Sequence, residues 1–175
     1  MPKEARLRVW LAIVGTATIL LVTAYGFVQQ SMRLGANDAP YAAAQIAKHQ
    51  LESGVNAADV VPEVKTDSLS DTTLFVIVTD DKLQILASSL NDTESVRPPT
   101  GVFTYAAIHG RDSVTWQTGA GARLATTVIP YKSGFVVAGQ SLSQIEKRAT
   151  KFTVLMIVAW LVVVGWTYLV LWLYI

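Results

Sequence analysis

The sequence predicts an α+β fold in which an antiparallel five-stranded sheet, preceded by a helix, lies between two transmembrane helices. Three observations carry this prediction. Uncharged apolar runs stand near both ends of the 175-residue chain. A helical pattern follows the first run, and strand-like segments separated by turn residues precede the second. The chain is 51% hydrophobic and 15% charged, a composition that favours membrane attachment in a protein of this size.

The start of the chain predicts a basic cytoplasmic flank, 1–8, and a first transmembrane helix, 9–28. Three basic residues precede twenty residues without a charge, and such a run is long enough to cross a bilayer. A cleaved signal peptide also begins basic and then apolar, but its apolar core is usually shorter and a small-x-small site follows. Ala24-Tyr25-Gly26 matches such a site poorly, so we interpret the run as an uncleaved anchor.

One face of this first helix carries small or weakly polar side chains at spacings of three or four residues. Such faces let helix backbones approach closely in lipid. The alternative is an ordinary scatter of small residues in a membrane helix. We predict helix packing here, with Gly165 of the second span as a secondary contact. The small-residue face comprises Ala12, Gly15, Thr16, Thr23 and Gly26, with Ile19 between them.

Residues 29–151 are predicted to form one domain outside the membrane, and it begins with helical sequence. Asp38 can cap a new helix, and Pro40 is tolerated in a first turn because its missing N–H is not needed there. Gly54 suits the helix stop. A short helical turn is expected at Asn56–Val61. A polar loop, Val64–Thr73, follows.

The rest of the domain has the composition of strands. Leu74–Thr79 and Leu83–Ser89 are rich in β-branched and apolar residues and flank the turn formers Asp80-Asp81-Lys82. Four further segments are interpreted as strands, which gives six candidates for a five-stranded sheet. Gly119-Ala120-Gly121 is predicted as a hairpin turn. The four segments are Val102–His109, Ser113–Thr118, Arg123–Tyr131 and Phe135–Gly139.

The sheet is predicted to lead almost directly into a second transmembrane helix, 152–175. This run has no charged residue, and as a helix it rises about 36 Å, enough for a hydrocarbon core of about 30 Å. Tryptophans and tyrosines crowd its second half, as is typical of a membrane interface. Ser143 and Glu146 have the spacing of a capping box, which predicts the helix start.

The orientation is predicted from basic residues. The basic amino terminus places both termini inside and the domain outside. One observation argues against this orientation. Basic residues favour the cytoplasmic side, but the flank before the second span, which would lie outside, carries Lys147, Arg148 and Lys151. A connecting segment of about 120 residues translocates largely regardless of charge, however, so we expect a two-pass protein with its central domain outside.

The sequence offers no constellation of catalytic or metal-ligating residues, so we expect neither an enzyme nor a cofactor. Cysteine is absent. His49 and His109 fall in different elements, and His49 with Glu52 supplies only two ligands, which favours a solvated helix face over a metal site. No nucleophile elbow, phosphate loop or dinucleotide fingerprint is present. A net charge of +1 argues against nucleic-acid binding.

The order of elements and several local motifs resemble a known family. The motifs are GANDAP, LFVIVTDDKLQILASS, RPPTGVF, VTWQTGAGARLATTVIP and GFVVAGQSLSQIEKR. Over about Met32–Lys151 the chain resembles the extracytoplasmic PAS-like (Cache-like) sensor regions of bacterial sensory histidine kinases. The resemblance implies a bacterial cytoplasmic membrane protein. Such kinases continue into a linker, a phosphoacceptor helix and an ATP-binding domain. This sequence has none of them, so kinase activity is not implied.

The resemblance also implies a candidate ligand pocket on the second half of the sheet, which usually lines the cavity of PAS-like domains. Ligand sites combine aromatic walls with a few polar groups, and an arginine can hold a carboxylate bidentately. The alternative is that the large aromatic residues belong to the core and the arginines to the surface. The candidate residues are Tyr105, His109, Arg111, Trp116, Arg123 and Tyr131.

Two functions follow from these expectations. The first is a membrane-anchored sensory or ligand-binding protein that signals through a membrane partner, either a second copy of the chain or a kinase lacking its own sensor. The second is a non-sensory membrane subunit that uses a PAS-like domain as an assembly surface. The partners expected in both are the lipid bilayer and another membrane protein, and a small-molecule ligand belongs to the first alone.

Overall fold

The computed structural model describes two compact units. Residues 2–61, 65, 74–118 and 121–173 are described. One unit is Arg33–Ile145, and the other comprises Met1–Met32 and Glu146–Ile175. The predicted loop Val64–Thr73 lies outside the described residues except for Lys65, as do the first two residues of the predicted turn Gly119-Ala120-Gly121.

Two long helices contain the predicted transmembrane segments. Helix α1 runs over Lys3–Gly35 and includes 9–28. Helix α5 runs over Ser143–Leu173, and it includes all the described residues of 152–175. Both helices are long and apolar enough to cross a membrane, by their length and composition.

The helix predicted before the sheet is confirmed. Helix α2 covers Asp38–Glu52, with Asn37 rather than Asp38 at its N-cap position. Pro40 is buried in the first turn, where it is tolerated because that position needs no backbone donor. Gly54 ends the segment with a φ of +92°, a conformation that glycine adopts without steric cost. The short helix α3, Ala57–Val60, is also confirmed.

The sheet has five antiparallel strands in the order β2-β1-β5-β4-β3, so the predicted α+β class is confirmed. The last strand in sequence, β5, therefore lies at the centre, between β1 and β4. Asp80 forms the predicted turn after β1, because its Oδ1 accepts hydrogen bonds from the backbone N–H groups of Lys82 (2.9 Å) and Gln84 (2.7 Å). The strands are β1 Phe75–Asp80, β2 Ile85–Ser88, β3 Asp112–Gln117, β4 Arg123–Tyr131 and β5 Gly134–Ser141.

The strand predicted at Val102–His109 is wrong, because this segment is a helix. Helix α4 covers Thr100–His109. It starts directly after Pro99, which occupies the N-cap, and Gly110 ends it with a φ of +81°. Its buried residues, Val102, Phe103 and Ala106, follow a helical spacing rather than the two-residue alternation of a strand. Of the six segments predicted as strands, five therefore remain, and the sheet has five strands.

The two faces of the sheet are covered by different helices. Helix α4 packs on one face, where the buried residues include Phe75, Ile77, Phe103, Leu124, Val128 and Val137. Helix α2 packs on the other, where they include Ala44, Ala47, Val76, Val78, Ile129 and Val136. Alternate residues of β1, β4 and β5 serve opposite faces, as strand geometry requires. The sheet is therefore the central layer of the domain.

The connection from the sheet to α5 is short. Strand β5 ends at Ser141, and α5 begins at Ser143. A capping box with Ser143 at the N-cap predicts that the helix begins at Gln144. In the structure it begins one residue earlier, at Ser143 itself. The Ser143 backbone N–H donates to the hydroxyl of Ser141 at 3.3 Å, so the buried serine at the end of the strand satisfies a donor that the first helical turn leaves unpaired.

Candidate functional site

Two of the predicted pocket residues lie on α4 and not on the sheet. Tyr105 and His109 are one helical turn apart, and their rings stack with centroids 3.9 Å apart. The His109 Nδ1 lies 3.0 Å from the Tyr105 carbonyl oxygen. Both side chains are exposed. The segment predicted as a strand is helix α4, so the predicted position of Tyr105 and His109 on the sheet is wrong. Both residues lie on the outer surface of the helix.

Arg111 is directed toward α2. Its guanidinium carbon lies 4.7 Å from the centroid of the Tyr41 ring, within the range of a cation–π contact. The Tyr41 hydroxyl accepts a hydrogen bond of 2.8 Å from the Gln45 side-chain amide. Arg111 is exposed, so this contact contributes only about 0.5–1 kcal/mol.

Trp116 and Tyr131 lie on opposite faces of the sheet. Trp116 packs against the cluster under α4, and its indole N–H donates to Thr126 Oγ1 at 3.3 Å. Tyr131 packs against the cluster under α2, and its hydroxyl donates to the Thr79 carbonyl oxygen at 3.2 Å. Both aromatic residues therefore contribute to the core of the domain.

The last predicted pocket residue, Arg123, begins the strand that Tyr131 ends. Eight residues separate them, which corresponds to about 26 Å along a strand. Arg123 is exposed. The six residues are thus divided among the outer surface of α4, the side of α2 that carries Tyr41, the two faces of the sheet and the start of β4. Ligand binding by any of them stays a prediction.

Among the titratable residues that the structure describes in the sheet domain, Tyr131 has a pKa shifted from its ordinary value. Burial raises the pKa of its phenol above the ordinary value of 10.0, and the neighbouring Asp80 carboxylate raises that pKa further. A phenolate there would lose solvation and meet a negative charge. Tyr131 therefore stays protonated and retains its hydrogen bond to Thr79 at neutral pH.

A second candidate site lies where α1 meets α5. The Trp160 indole N–H donates to Thr18 Oγ1 at 2.8 Å. The Thr153 hydroxyl lies 3.4 Å from the Tyr25 hydroxyl. These contacts join the two apolar helices through polar atoms, and they were not predicted from the sequence. Each helix supplies its two residues at a spacing of seven, which is two helical turns.

Aromatic residues extend the same contact toward the other end of the helix pair. The Trp10 indole N–H lies 3.4 Å from the Val164 carbonyl oxygen. The Trp10 ring meets Tyr168 and Trp172 edge to face, with centroids 6.2 and 6.5 Å apart. Tyr168 and Trp172 stack on each other at 4.6 Å. Edge-to-face and offset pairs of this kind are favourable beyond their buried area.

The predicted small-residue face is not the face of α1 that contacts α5. All five of its members are exposed. A Cβ added at Gly15, Gly26 or Gly165 would meet nothing within 4 Å. The Thr16 hydroxyl bonds to the Ala12 carbonyl oxygen of its own helix at 2.8 Å. The face is thus open for a partner, and its use for packing stays a prediction.

An apolar groove opens between the two helices. Its volume is about 500 Å³, within the range of ligand sites. It lies between the Thr18–Trp160 and Tyr25–Thr153 contacts and has no charged residue in its lining. The lining residues are Thr18, Leu21, Val22, Tyr25, Thr153, Met156, Ile157 and Trp160.

These features define an α+β domain joined to two long apolar helices that contact each other. Within the described part of the chain, no three His, Asp or Glu side chains are placed to hold a metal ion. Comparison of the chain with protein-family models, with curated proteins and with solved structures finds no match.

Proposed function

We propose that this protein is a membrane-anchored sensory or ligand-binding protein whose sheet domain lies outside a bacterial cytoplasmic membrane. The domain has a PAS-like (Cache-like) character in this proposal, and it acts through a membrane partner rather than by catalysis. The partner is a second copy of this chain or a membrane protein such as a kinase without its own sensor.

The observation that carries the proposal is the short path from the centre of the sheet into α5. Strand β5 pairs with both β1 and β4, and a single residue separates its end from the start of a 31-residue helix. A rearrangement that moves β5 would therefore act on the start of a continuous helix. Small helix shifts of this kind are a common form of signal transmission.

The partner is proposed to bind the small-residue face of α1. That face is exposed, whereas α5 contacts the side of α1 that carries Thr18 and Tyr25. Helix association in lipid depends on close backbone packing, which glycine permits. The open glycines at 15 and 26 are consequently the best-suited contact points for another membrane helix.

A second function, a non-sensory assembly subunit, is favoured by a different observation. Large side chains fill both faces of the sheet: Phe75, Leu124 and Val128 are 0% exposed, and Ile129 is 1% exposed. A domain packed in this way serves equally well as a rigid interaction surface. Ligand-induced stabilisation of the full chain in detergent distinguishes the two functions, because an assembly subunit would not respond to small metabolites.

Cysteine crosslinking in native membranes tests the proposed complex. The chain has no native cysteine, so Gly26→Cys introduces a single thiol on the small-residue face. Ala24→Cys is the matched control, because two residues correspond to about 200° around a helix. We expect a crosslinked product from Gly26→Cys and far less from Ala24→Cys. Equal yields from the two variants would contradict a specific complex at this face.

A further inference from the structure

We propose that the groove between α1 and α5 binds one acyl chain of a bilayer lipid. This inference rests on the proposed membrane insertion of the two helices, but it concerns a different side of α1 from the partner-binding face. The groove is about 500 Å³ in volume and is lined by Leu21, Val22, Met156 and Ile157 between two polar contacts.

The two polar contacts determine the length of the groove. Thr18 and Trp160 meet at one end, and Tyr25 and Thr153 meet at the other. Seven residues on each helix separate the ends, which corresponds to about 10 Å. The groove is thus a slot along the helix pair, and the large Trp160 and Tyr25 side chains mark its ends.

The chemistry of the lining requires an apolar occupant. Thr18 Oγ1 accepts from Trp160 and donates to the Val14 carbonyl oxygen at 2.7 Å. The Tyr25 hydroxyl accepts from Gln29 at 3.0 Å, and Thr153 donates to Ala149 of its own helix at 2.9 Å. Because these polar atoms already have partners, the remaining surface of the slot is hydrocarbon. A polar ligand would lose its hydration without compensation there.

The size of the slot favours a flexible chain over a third helix. A piece of helix about 10 Å long and about 10 Å wide occupies roughly 800 Å³, which exceeds the volume of the groove. A single hydrocarbon chain is narrower and adapts to a slot that is open along one side. It would restore the dispersion contacts that the facing side chains otherwise lack.

The charges along the helices place one end of the slot near lipid headgroups. Lys151 is two residues before Thr153, about 3 Å along the helix axis, and charged residues at helix ends reach toward the membrane interface. The nearest charges on α1, Arg8 and Arg33, are ten and eight residues outside the slot. An acyl chain would therefore enter beside Thr153 and extend toward Trp160.

Native mass spectrometry of the full chain tests this site. The protein would be reconstituted with palmitoyl-oleoyl phosphatidylethanolamine and released from detergent. We expect one retained lipid per chain, and a loss of about tenfold in lipid retention when Val22→Trp and Ile157→Trp fill the slot. Leu20→Trp and Leu155→Trp are the matched controls, because these exposed residues do not line the groove. The controls should retain the lipid.

A second measurement uses the unaltered chain, so its result does not depend on whether a variant folds. A phospholipid with a diazirine on its acyl chain should label Val22, Met156 and Ile157, which line the groove, more heavily than Leu20 and Leu155, which lie outside it. Absence of a retained lipid, equal lipid loss in the control variants, or uniform labelling would each overturn the proposal. Resistance to alkaline extraction, measured in parallel, reports on membrane insertion separately.

Discussion

The Trp160 indole N–H donates a hydrogen bond of 2.8 Å to Thr18 Oγ1, and this bond joins residues 142 positions apart in the chain. In an apolar setting, water does not compete for these atoms, so an unpaired indole N–H would be costly. The bond lies on the side of α1 that contacts α5. The small-residue face lies on another side of α1 and is exposed.

Removal of this bond should weaken the contact between the two helices. We expect Thr18→Val and Trp160→Phe each to destabilise the helix pair by about 0.5–2 kcal/mol. The double variant should be less destabilised than the sum of the two, because both substitutions remove the same bond. A double-mutant cycle in bicelles, read by unfolding of the full chain, measures this coupling.

Thr16→Val is the control for that cycle. Thr16 is exposed and its hydroxyl bonds only within its own helix, to Ala12, so this variant should leave the pairing of α1 with α5 almost unchanged. A loss from Thr16→Val equal to that from Thr18→Val would show that the interhelical bond contributes nothing.

Gly139→Ala should destabilise the sheet domain. A Cβ at this position would overlap the Phe75 ring and would lie 2.9 Å from the Ala125 carbonyl oxygen. Both neighbours are fully buried, so relief requires movement of the core, at a cost of about 1–3 kcal/mol. Chemical denaturation of the full chain, followed by hydrogen exchange of β5, measures the effect.

Gly101→Ala provides the comparison for Gly139→Ala. Gly101 lies in α4, and an added Cβ there meets nothing within 4 Å. The variant should be unchanged or more stable by up to about 1 kcal/mol, because alanine restricts the unfolded chain. If both alanines destabilised the domain equally, the close packing of Gly139 against Phe75 would not be the cause.

Tyr131→Phe should change how stability depends on pH. The folded pKa of Tyr131 is raised by burial and then by Asp80, so the folded state holds the phenol proton more tightly than the unfolded state. Its contribution is fully present below about pH 10 and is lost as the pH rises through the raised pKa. The unfolding free energy of the unaltered protein should therefore fall more steeply above about pH 10 than that of Tyr131→Phe.

At neutral pH, Tyr131→Phe should lower the free energy of unfolding by about 0.5–1.5 kcal/mol. The substitution removes the hydrogen bond from the Tyr131 hydroxyl to the Thr79 carbonyl oxygen. Other groups also titrate in alkali, so the informative quantity is the difference between the two proteins. Parallel pH profiles for the unaltered protein and the Tyr131→Phe variant would contradict the raised pKa.

Gly15→Leu and Gly26→Leu should weaken the proposed membrane complex without preventing insertion. Space is open at both glycines in the single chain, so leucine is tolerated there, but it would hold a partner helix away. The yield of crosslinked complex should fall by about tenfold, while Ala24→Leu leaves it unchanged. An undiminished yield in the glycine variants would place the partner on another face.

Much of the sheet could be predicted from local sequence. Strand β4 has the predicted bounds, because turn residues flank an apolar and β-branched run on both sides. The order of strands could not be predicted in this way. The pairing of Phe75 with Gly139 joins positions far apart in sequence, and no local pattern specifies that β5 enters between β1 and β4.

Helix α4 shows where composition misleads. Its valine, phenylalanine, threonine, tyrosine and isoleucine are typical of strands. The stronger signals were the prolines before Thr100 and the glycine after His109, which suit a helix start and stop. The buried spacing of Val102, Phe103 and Ala106 agrees with those signals.

The helix contact could not be predicted from hydrophobicity, because both apolar helices lack a polar side that would indicate orientation. A weaker signal was present in the polar atoms. Thr18 and Tyr25, and likewise Thr153 and Trp160, recur at a spacing of seven, which places each pair on one face. The pairing of Thr18 with Trp160, however, depends on how the two helices pack.

The proposed function requires that the two helices cross a membrane and that the sheet domain lies outside it. Single thiols are introduced by Asn91→Cys in the exposed segment after β2 and by Lys3→Cys near the amino terminus. An impermeant maleimide applied to intact cells should label Asn91→Cys at once and Lys3→Cys only after lysis. Immediate labelling of Lys3→Cys, with Asn91→Cys protected until lysis, would contradict the proposed orientation. If neither thiol is protected from the maleimide, and alkaline extraction releases the protein, membrane insertion itself would be contradicted.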